Sequence, residues 1–480
     1  MSSPAPVLVW FRQDLRLGDN PAVAAAAASG RPLVFAYVLD DETPGRWRMG
    51  AASRWWLERS LRALAASLAR LGGRLILRRG AALQEVQRLA AETGAAEVRW
   101  SRVYEPSAMA GDATLKAALE ARGVSAEAAP GALLHEPGTL KTGQGGPFKV
   151  FTPFWRTARA HAARTPLPAP RALRAWDGAV SSERLEDWEL SPTRPNWAAG
   201  FEIWRPGEAG AKAALDRFLE AAFSRYPEDR DRPGIAGTSR LSPHLHFGEL
   251  SPAQAWAAAA AKAETTGADR ALEKFLSELG WREFSHHLLF HWPDLPERNW
   301  KPAFDDFPWA DDAAGFRAWT RGRTGYPIVD AGMRELWTTG WMHNRVRMIA
   351  ASFLVKDLMI DWRRGAAWFW DTLVDADLAN NSASWQWVAG SGADAAPYFR
   401  IFNPVAQGEA YDPDGAYVRR WLPELAGMPD ELIHAPWMAS DAVLARAGVR
   451  LGETYPHRII DHAAARKRAL AAFGAIKSSI

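Results

Sequence analysis

The stretch from Gly325 to Pro404 constrains this chain more than any other part of it. It is dense in tryptophan, with Trp337, Trp341, Trp362, Trp368, Trp370, Trp385 and Trp387. It sets two carboxylates, Asp375 and Asp377, on either side of Ala376 and follows them with the amides Asn380 and Asn381. It also holds His343-Asn344-Arg345-Val346-Arg347-Met348, a run that mixes charge with apolar side chains. Val346, Ile349, Ala350, Phe353, Leu354 and Leu358 keep helical spacing, which predicts a helix from about Trp341 to Leu358. On it Asn344 and Met348 share one face, as do His343 and Arg347. Tryptophan is highly buried on average, and an arginine buried among tryptophans needs a carboxylate. Asp375 or Asp377 can supply one. The plainest reading of these residues is a tryptophan-rich core with one structural ion pair.

The rest of the composition narrows the class. At 480 residues the chain has room for about two or three domains with cores of their own. With 48% hydrophobic and 24% charged residues it is globular in type, neither disordered nor membrane-embedded, and no apolar run approaches a membrane span. The formal charge of +3 is small beside a pI of about 9.1, so any nucleic-acid footprint must be a local basic patch. The absence of cysteine excludes disulfides, thiolate metal sites and cysteine nucleophiles, and it fits a reducing cytoplasm. The start, MSSPAPVLVWFRQDLRL, has no positive region ahead of its apolar residues and does not read as a signal peptide.

Along the chain, residues 1–130 alternate strand-like and helix-like segments. VLVWF, PLVFAYVLD, RLILRRG and AEVRWSR predict buried strands, and three Ala-, Leu- and Trp-bearing stretches between them predict amphipathic helices. That order predicts an α/β domain with a Rossmann-like parallel sheet. The turn after the first strand, RQDLRLGDN, has no G-x-G-x-x-G, so a dinucleotide site of the usual kind is not expected there. Residues 131–207 turn rich in Gly and Pro and read as a long connection docked on the surface between two domains. From 208 to 480 helical periods dominate, which predicts an all-α domain of more than ten helices.

Two further stretches carry chemistry. Gly237-Thr238-Ser239-Arg240-Leu241-Ser242-Pro243 precedes a helix, and hydroxyls with free N–H groups at a helix start suit an anion. On its own this is an ordinary Ser-Pro helix start. In FLSELGWREF, helical spacing puts Glu278, Trp281 and Arg282 on one side. Without further context that is a surface Glu–Arg pair of little worth.

TGYPIVDAGMR, TGWMHNRVRMIAASFLVKDL, DADLANN, WQWVAGSGADAAPYFRIFNP and RRWLPEL resemble, in that order, the photolyase/cryptochrome flavoproteins. WFRQDLRLGDNPA near the start and GTSRLSPHLHFGELSP in the middle resemble them too, so the likeness covers almost the whole chain. Within the family it is to class I-like enzymes that repair cyclobutane pyrimidine dimers. The resemblance implies an all-helical FAD-binding catalytic domain after the α/β antenna domain. It further implies one reduced FAD per chain, ultraviolet-damaged DNA as the partner, no membrane, and a monomer. A second, antenna chromophore is implied between the domains, with Trp47, Trp55, Trp56 and Tyr104-Glu105-Pro106 available to hold it. Folate-binding members can carry Asn-Glu where this chain has Ser107 and Ala108. Methenyltetrahydrofolate, a deazaflavin, a flavin and no antenna are therefore all open.

The resemblance also assigns residues. FAD would meet Tyr226, Thr238, Ser239, Arg240, Leu241, Ser242, Arg282, Arg347, Asp375, Ala376 and Asp377, with Asn381 facing flavin N5. The lesion pocket would comprise Glu278, Trp281, Asn344, Met348 and Trp387, an acid and flat rings for a flipped pyrimidine pair. Trp385, Trp362 and Trp309 match the family's electron-transfer chain. Arg230, Arg345, Arg400 and Gln407 would contact DNA phosphates, which give affinity without reading sequence. His286 and His287 are assigned no role and read as solvated. The rivals are a six-four photolyase and a cryptochrome photoreceptor. Six-four enzymes place two histidines over the lesion; His343 matches the first, but Met348 stands near the second. Cryptochromes usually lose the pocket acid and ring and often append a long tail. This chain keeps Glu278, Trp281, Trp387 and Asn381 and runs only a short way past Ile459.

Overall fold

A computed structural model describes residues 4–161, 163–394 and 399–476. Residues 395–398 of the WQWVAGSGADAAPYFRIFNP motif lie outside the described residues. Five parallel strands, β1 (Val7–Phe11), β2 (Leu33–Leu39), β3 (Leu75–Arg79), β4 (Glu97–Ser101) and β5 (Ser125–Ala129), form one sheet in the order β3-β2-β1-β4-β5. Successive residues of the central strands feed two different cores. Val7, Val9 and Phe11 pack with Val23 and the indoles Trp55 and Trp56 on one face, and Leu8 and Trp10 pack with Val86, Leu89 and Leu115 on the other. The helices α1 (Pro21–Ala28) and α2 (Ala51–Arg70) thus cover one face, and α3 (Ala82–Thr93) and α4 (Pro106–Glu120) the other. Four strands follow the apolar runs. The fifth, SAEAA, has no β-branched or aromatic residue and escaped sequence reading; its pairing with β4 from Glu97↔Ser125 onward creates it.

Residues 131–207 carry a helix, α5 (Phe151–Ala160), and reach the helical part through individual contacts. Glu283 accepts hydrogen bonds from the N–H groups of Leu134 and His135 at 2.9 and 3.1 Å. His287 Nε2 accepts from Phe148 N at 3.0 Å, and its Nδ1 lies 3.2 Å from the Pro137 carbonyl. Burial, with His291 beside it, pushes this imidazole down to about 4, so it holds the connection as a neutral ring. His286 and His287 are therefore not solvated. They are 6% and 1% exposed, because their helix is covered on several sides.

The helical part comprises α6 (Glu208–Ala221), α7 (Tyr226–Asp229), α8 (Ser242–His246), α9 (Pro252–Thr266), α10 (Asp269–His291), α11 (Ala313–Thr320) and α12 (Pro327–Thr339). It continues through α13 (Asn344–Ser352), α14 (Trp362–Thr372), α15 (Leu378–Ala389), α16 (Pro404–Tyr411), α17 (Ala416–Trp421), α18 (Asp441–Ala447) and α19 (His462–Ile476). The helix expected from Trp341 starts later, at Asn344, where His343 Nδ1 accepts from Arg345 N at 3.2 Å and caps it. It runs on through a π turn at Phe353–Asp357. Among the described residues no helix is long and apolar enough to cross a membrane.

Candidate functional site

A cavity of about 530 Å³ opens between α7, α8, α10, α13 and α15. It lies within the size range of cofactor sites. Of the residues expected to bind FAD, Tyr226, Ser239, Leu241, Ser242, Arg282, Arg347, Asp375, Ala376, Asp377 and Asn381 line it. So do all five expected lesion residues, Glu278, Trp281, Asn344, Met348 and Trp387, together with Trp385.

One wall is the face of α10 that carries Lys274, Glu278 and Trp281. Trp281 is backed by Phe151 of α5, with ring centroids 3.7 Å apart and planes 8° from parallel. The helices approach this closely because residue 280 is glycine: a Cβ there would come within 2.4 Å of the Trp155 ring. The opposite wall, Trp387, donates its indole N–H to the Asp394 carbonyl at 3.1 Å, and the Asp394 carboxylate receives Phe151 N at 3.3 Å. Phe151 and Asp394 thus tie the two walls together, and sequence reading missed both.

Charge at the mouth alternates. Glu278 meets Arg230 at 2.9 Å and Lys274 at 3.0 Å, not the Arg282 one turn further along its helix. Arg282 turns away and donates to the Ala132 carbonyl at 2.9 Å. Asp231 bridges Arg230 at 3.4 Å and Arg345 at 2.8 Å, and Arg345 lies over the Tyr411 ring. Burial opposes the charge on Arg230, but Glu278, Tyr226 and Asp231 outweigh it and raise its pKa. Arg230 and Arg345 are thus each paired with a carboxylate in this structure. Behind them His343 is 3% exposed and does not line the cavity. Burial, with Arg230, Arg347 and Arg240 nearby, pushes it down to about 4 and keeps it neutral.

The floor is built from paired carboxylates. Arg347 bonds both oxygens of Asp375, at 2.8 and 3.0 Å, and donates to the Met342 carbonyl at 2.7 Å. Asp377 caps α15, accepting from Asn380 N at 2.9 Å. Its second oxygen lies 3.4 Å from His246 and 3.3 Å from His286. Burial alone would raise the Asp377 pKa; the two histidines outweigh it and hold the carboxyl well below its usual range. Asn381 donates its side-chain N–H to the Ala366 carbonyl at 3.0 Å, which fixes the amide and leaves its Oδ1 for a donor.

The remaining candidates lie off the cavity. Arg240 places its guanidinium over the rings of Trp341 and Trp204, at 4.9 and 5.9 Å, rather than into the anion loop, and Thr238 does not line the cavity. Trp362 is fully buried with its N–H on Asn299 at 2.9 Å. The tip of the Trp385 ring rests on Gly365, one turn along the helix that Trp362 begins; a Cβ there would come within 2.1 Å of it. Trp309 is half-buried at the edge of the same core. Arg400 is exposed, and Gln407 is half-buried on α16. Trp55 and Trp56, expected near an antenna, are 1% and 0% exposed and serve the sheet core. Among the described residues no cluster of three or more His, Asp or Glu side chains is arranged to hold a metal ion.

Residues 7–171 match the DNA photolyase family, and residues 275–475 match the FAD binding domain of DNA photolyase. The chain is 52% identical to the deoxyribodipyrimidine photo-lyase of Agrobacterium fabrum, over 99% of each protein. It is 39% identical to cryptochrome-1 of Arabidopsis thaliana, over 96% of this chain and 69% of that one. A bacterial class III photolyase from Agrobacterium tumefaciens superposes with a TM-score of 0.95 and 51% identity, covering 100% of this chain and 98% of the other.

Proposed function

Because this chain belongs to the DNA photolyase and cryptochrome family, we propose that it repairs cyclobutane pyrimidine dimers in ultraviolet-damaged DNA, as a light-driven carbon–carbon lyase. The observation that carries the reading is one cavity in which the Glu278, Trp281, Asn344, Met348 and Trp387 pocket stands over the Asp375, Asp377 and Asn381 floor.

The floor fits FAD. Asp375 is charge-balanced by Arg347, so it offers oxygens to hydroxyls without leaving a bare buried charge. Asn381 presents a neutral acceptor, which suits a protonated flavin N5 and adds no charge beside it. Bound there in reduced form, FAD supplies the electron that light promotes. Trp281 and Trp387 are flat apolar walls for the two bases. Glu278 accepts an N–H from a base edge, while Asn344 and Met348, which share one face of α13, offer a polar edge and a soft apolar one. Arg230 holds Glu278 toward the cavity, and the wall rings keep water from the splitting ring. Flipping costs least at damaged, poorly stacked bases, which adds selectivity. Arg400 and Gln407 are proposed as phosphate contacts beyond the cavity, and Trp385, Trp362 and Trp309 as the route by which electrons re-reduce the flavin.

Cryptochrome relatives supply the alternative of a photoreceptor; the intact acid and ring walls favour repair. A six-four site is disfavoured because His343 is neutral, buried and engaged as a helix cap, and Met348 has no proton to give. The class I-like expectation is unconfirmed, since the solved relative is described as class III. We further propose that it acts as a monomer in the cytoplasm. An antenna chromophore is proposed without assigning its identity. The test uses two duplexes of one sequence, one with a cyclobutane dimer and one with a six-four product, under blue light with FAD-reduced protein. Restoration of the dimer duplex alone is the expected outcome. Restoration of the six-four duplex, or none of the dimer duplex, ends this reading.

A further inference from the structure

Glu278 is held at both oxygens, by Arg230 at 2.9 Å on one and by Lys274 at 3.0 Å on the other. The two cations are not equivalent. Arg230 is 13% exposed, has a second carboxylate in Asp231, and lies against the Tyr226 ring. Lys274 is 37% exposed, lines the cavity mouth, and has Glu278 as its one ion-pair partner among the described residues.

A carboxylate engaged at both oxygens must release one before it can accept an N–H from a base edge. Arg230 is anchored from three sides. Lys274 sits on a flexible stem, the more accessible partner of a partly exposed i,i+4 helical pair, a type of contact that contributes little and exchanges readily. It is therefore the partner that yields. A flipped nucleotide remains covalently joined to its own phosphates, so a phosphodiester reaches the cavity mouth with the base. The released ammonium is already there. It is a compact point charge that needs no bidentate geometry to meet a single phosphodiester oxygen.

We propose that Lys274 is a phosphate-binding residue for the damaged strand, latched to Glu278 until a lesion enters and handed to a backbone phosphodiester as Glu278 turns to the bases. The inference rests on the repair reading above and deepens it. It distinguishes Lys274 from an ordinary DNA-contacting lysine, because its phosphate contact exists only in the lesion complex.

The experiment measures how the Kd depends on salt for FAD-loaded wild type, Lys274→Gln, Glu278→Gln and the double variant, on a dimer-containing duplex and its undamaged counterpart. A phosphate contact contributes about 0.7 to 0.9 to the slope of log affinity against log salt. Lys274→Gln is expected to flatten the slope by that amount on the dimer duplex and to leave the undamaged slope where it was. Glu278→Gln opens the latch but brings no phosphodiester to the mouth of an undamaged complex, so it is expected to leave the undamaged slope where it was, and the double variant is expected to flatten the dimer slope as Lys274→Gln does. Equal flattening on both duplexes overturns the proposal, because Lys274 would then be a constitutive contact. No flattening on the dimer duplex overturns it as well. If the wild type binds both duplexes alike, the repair reading fails first and this inference falls with it.

Discussion

The ring behind Trp281 should matter to lesion recognition without touching the lesion. Phe151 is 8% exposed and stacks on Trp281 at 3.7 Å. Phe151→Leu keeps most of the buried volume and removes the stack. The lost ring contact is worth about 0.5–1.5 kcal/mol of stability, so the variant stays folded. The functional effect has a different origin. With Phe151 in place, Trp281 is already ordered before DNA arrives. In the variant, binding must immobilise a freed indole, at about 0.5–1.5 kcal/mol for such a side chain. That corresponds to a dimer-duplex Kd weaker by about 2- to 12-fold, at about 1.4 kcal/mol per factor of ten. Undamaged DNA sends no base into the cavity, so its Kd should not move. Anisotropy titrations of both duplexes at one salt concentration measure the two constants, and Phe151→Tyr, which keeps the ring, should restore the preference. Equal weakening on both duplexes, or no change on either, would refute the reasoning that Phe151 pre-orders the wall.

Two more predictions concern a buried acid and the outermost of the three tryptophans. Burial pushes Asp330 up to about 6 even though Thr324, Gly325 and Tyr455 all donate to it. The folded state therefore holds its proton more tightly than the unfolded chain does, and stability falls as pH rises from about 4 to about 6, by about 3 kcal/mol from this group. Urea unfolding of wild type against Asp330→Asn should show that fall as the difference between the two pH profiles, and parallel profiles would contradict it. Trp309→Phe should slow light-driven reduction of oxidised FAD at least tenfold, followed by the loss of oxidised-flavin absorbance; an unchanged rate would mean that electrons enter elsewhere.

What sequence could reveal depended on the range of each contact. Glu278 and Trp281 were legible because helical spacing fixes which side chains share a face of α10. The partner of Glu278 was not. Spacing pointed to Arg282, but that side chain is drawn to the Ala132 carbonyl, and the cation that arrives is Arg230 from the end of α7. Phe151 sits in a Gly- and Pro-rich stretch that reads as a connection, and only the fold brings it to Trp281. The pairing of Arg347 with a carboxylate was legible as a need, since a buried arginine requires one. The choice of Asp375 over Asp377 came only with the structure, because Asp377 is taken up by the start of α15 and by two histidines. His286 and His287 were misread because a long helix was assumed to keep a wet face. Here α5, α9 and α15 and the connection all pack on α10.

The charges at the mouth bear on how such a protein finds damage. Arg230, Arg345 and Lys274 face Glu278 and Asp231, three cations against two carboxylates. Nearly balanced charge makes a weak field, and the whole chain carries only +3. Long-range attraction cannot then be what separates damaged from undamaged DNA. The separation has to come from the pocket itself, the walls Trp281 and Trp387 with Glu278 and Asn344 at the base edges, and from the lower cost of flipping a damaged pair, plus whatever phosphate contact the lesion complex gains. Salt divides these two contributions. Phosphate contacts weaken as salt rises, whereas ring stacking and apolar burial are not screened. The difference between the salt slopes of the two duplexes therefore counts the phosphates engaged only when a lesion is in the cavity. The preference that survives at high salt measures the contacts inside the pocket together with the difference in flipping cost.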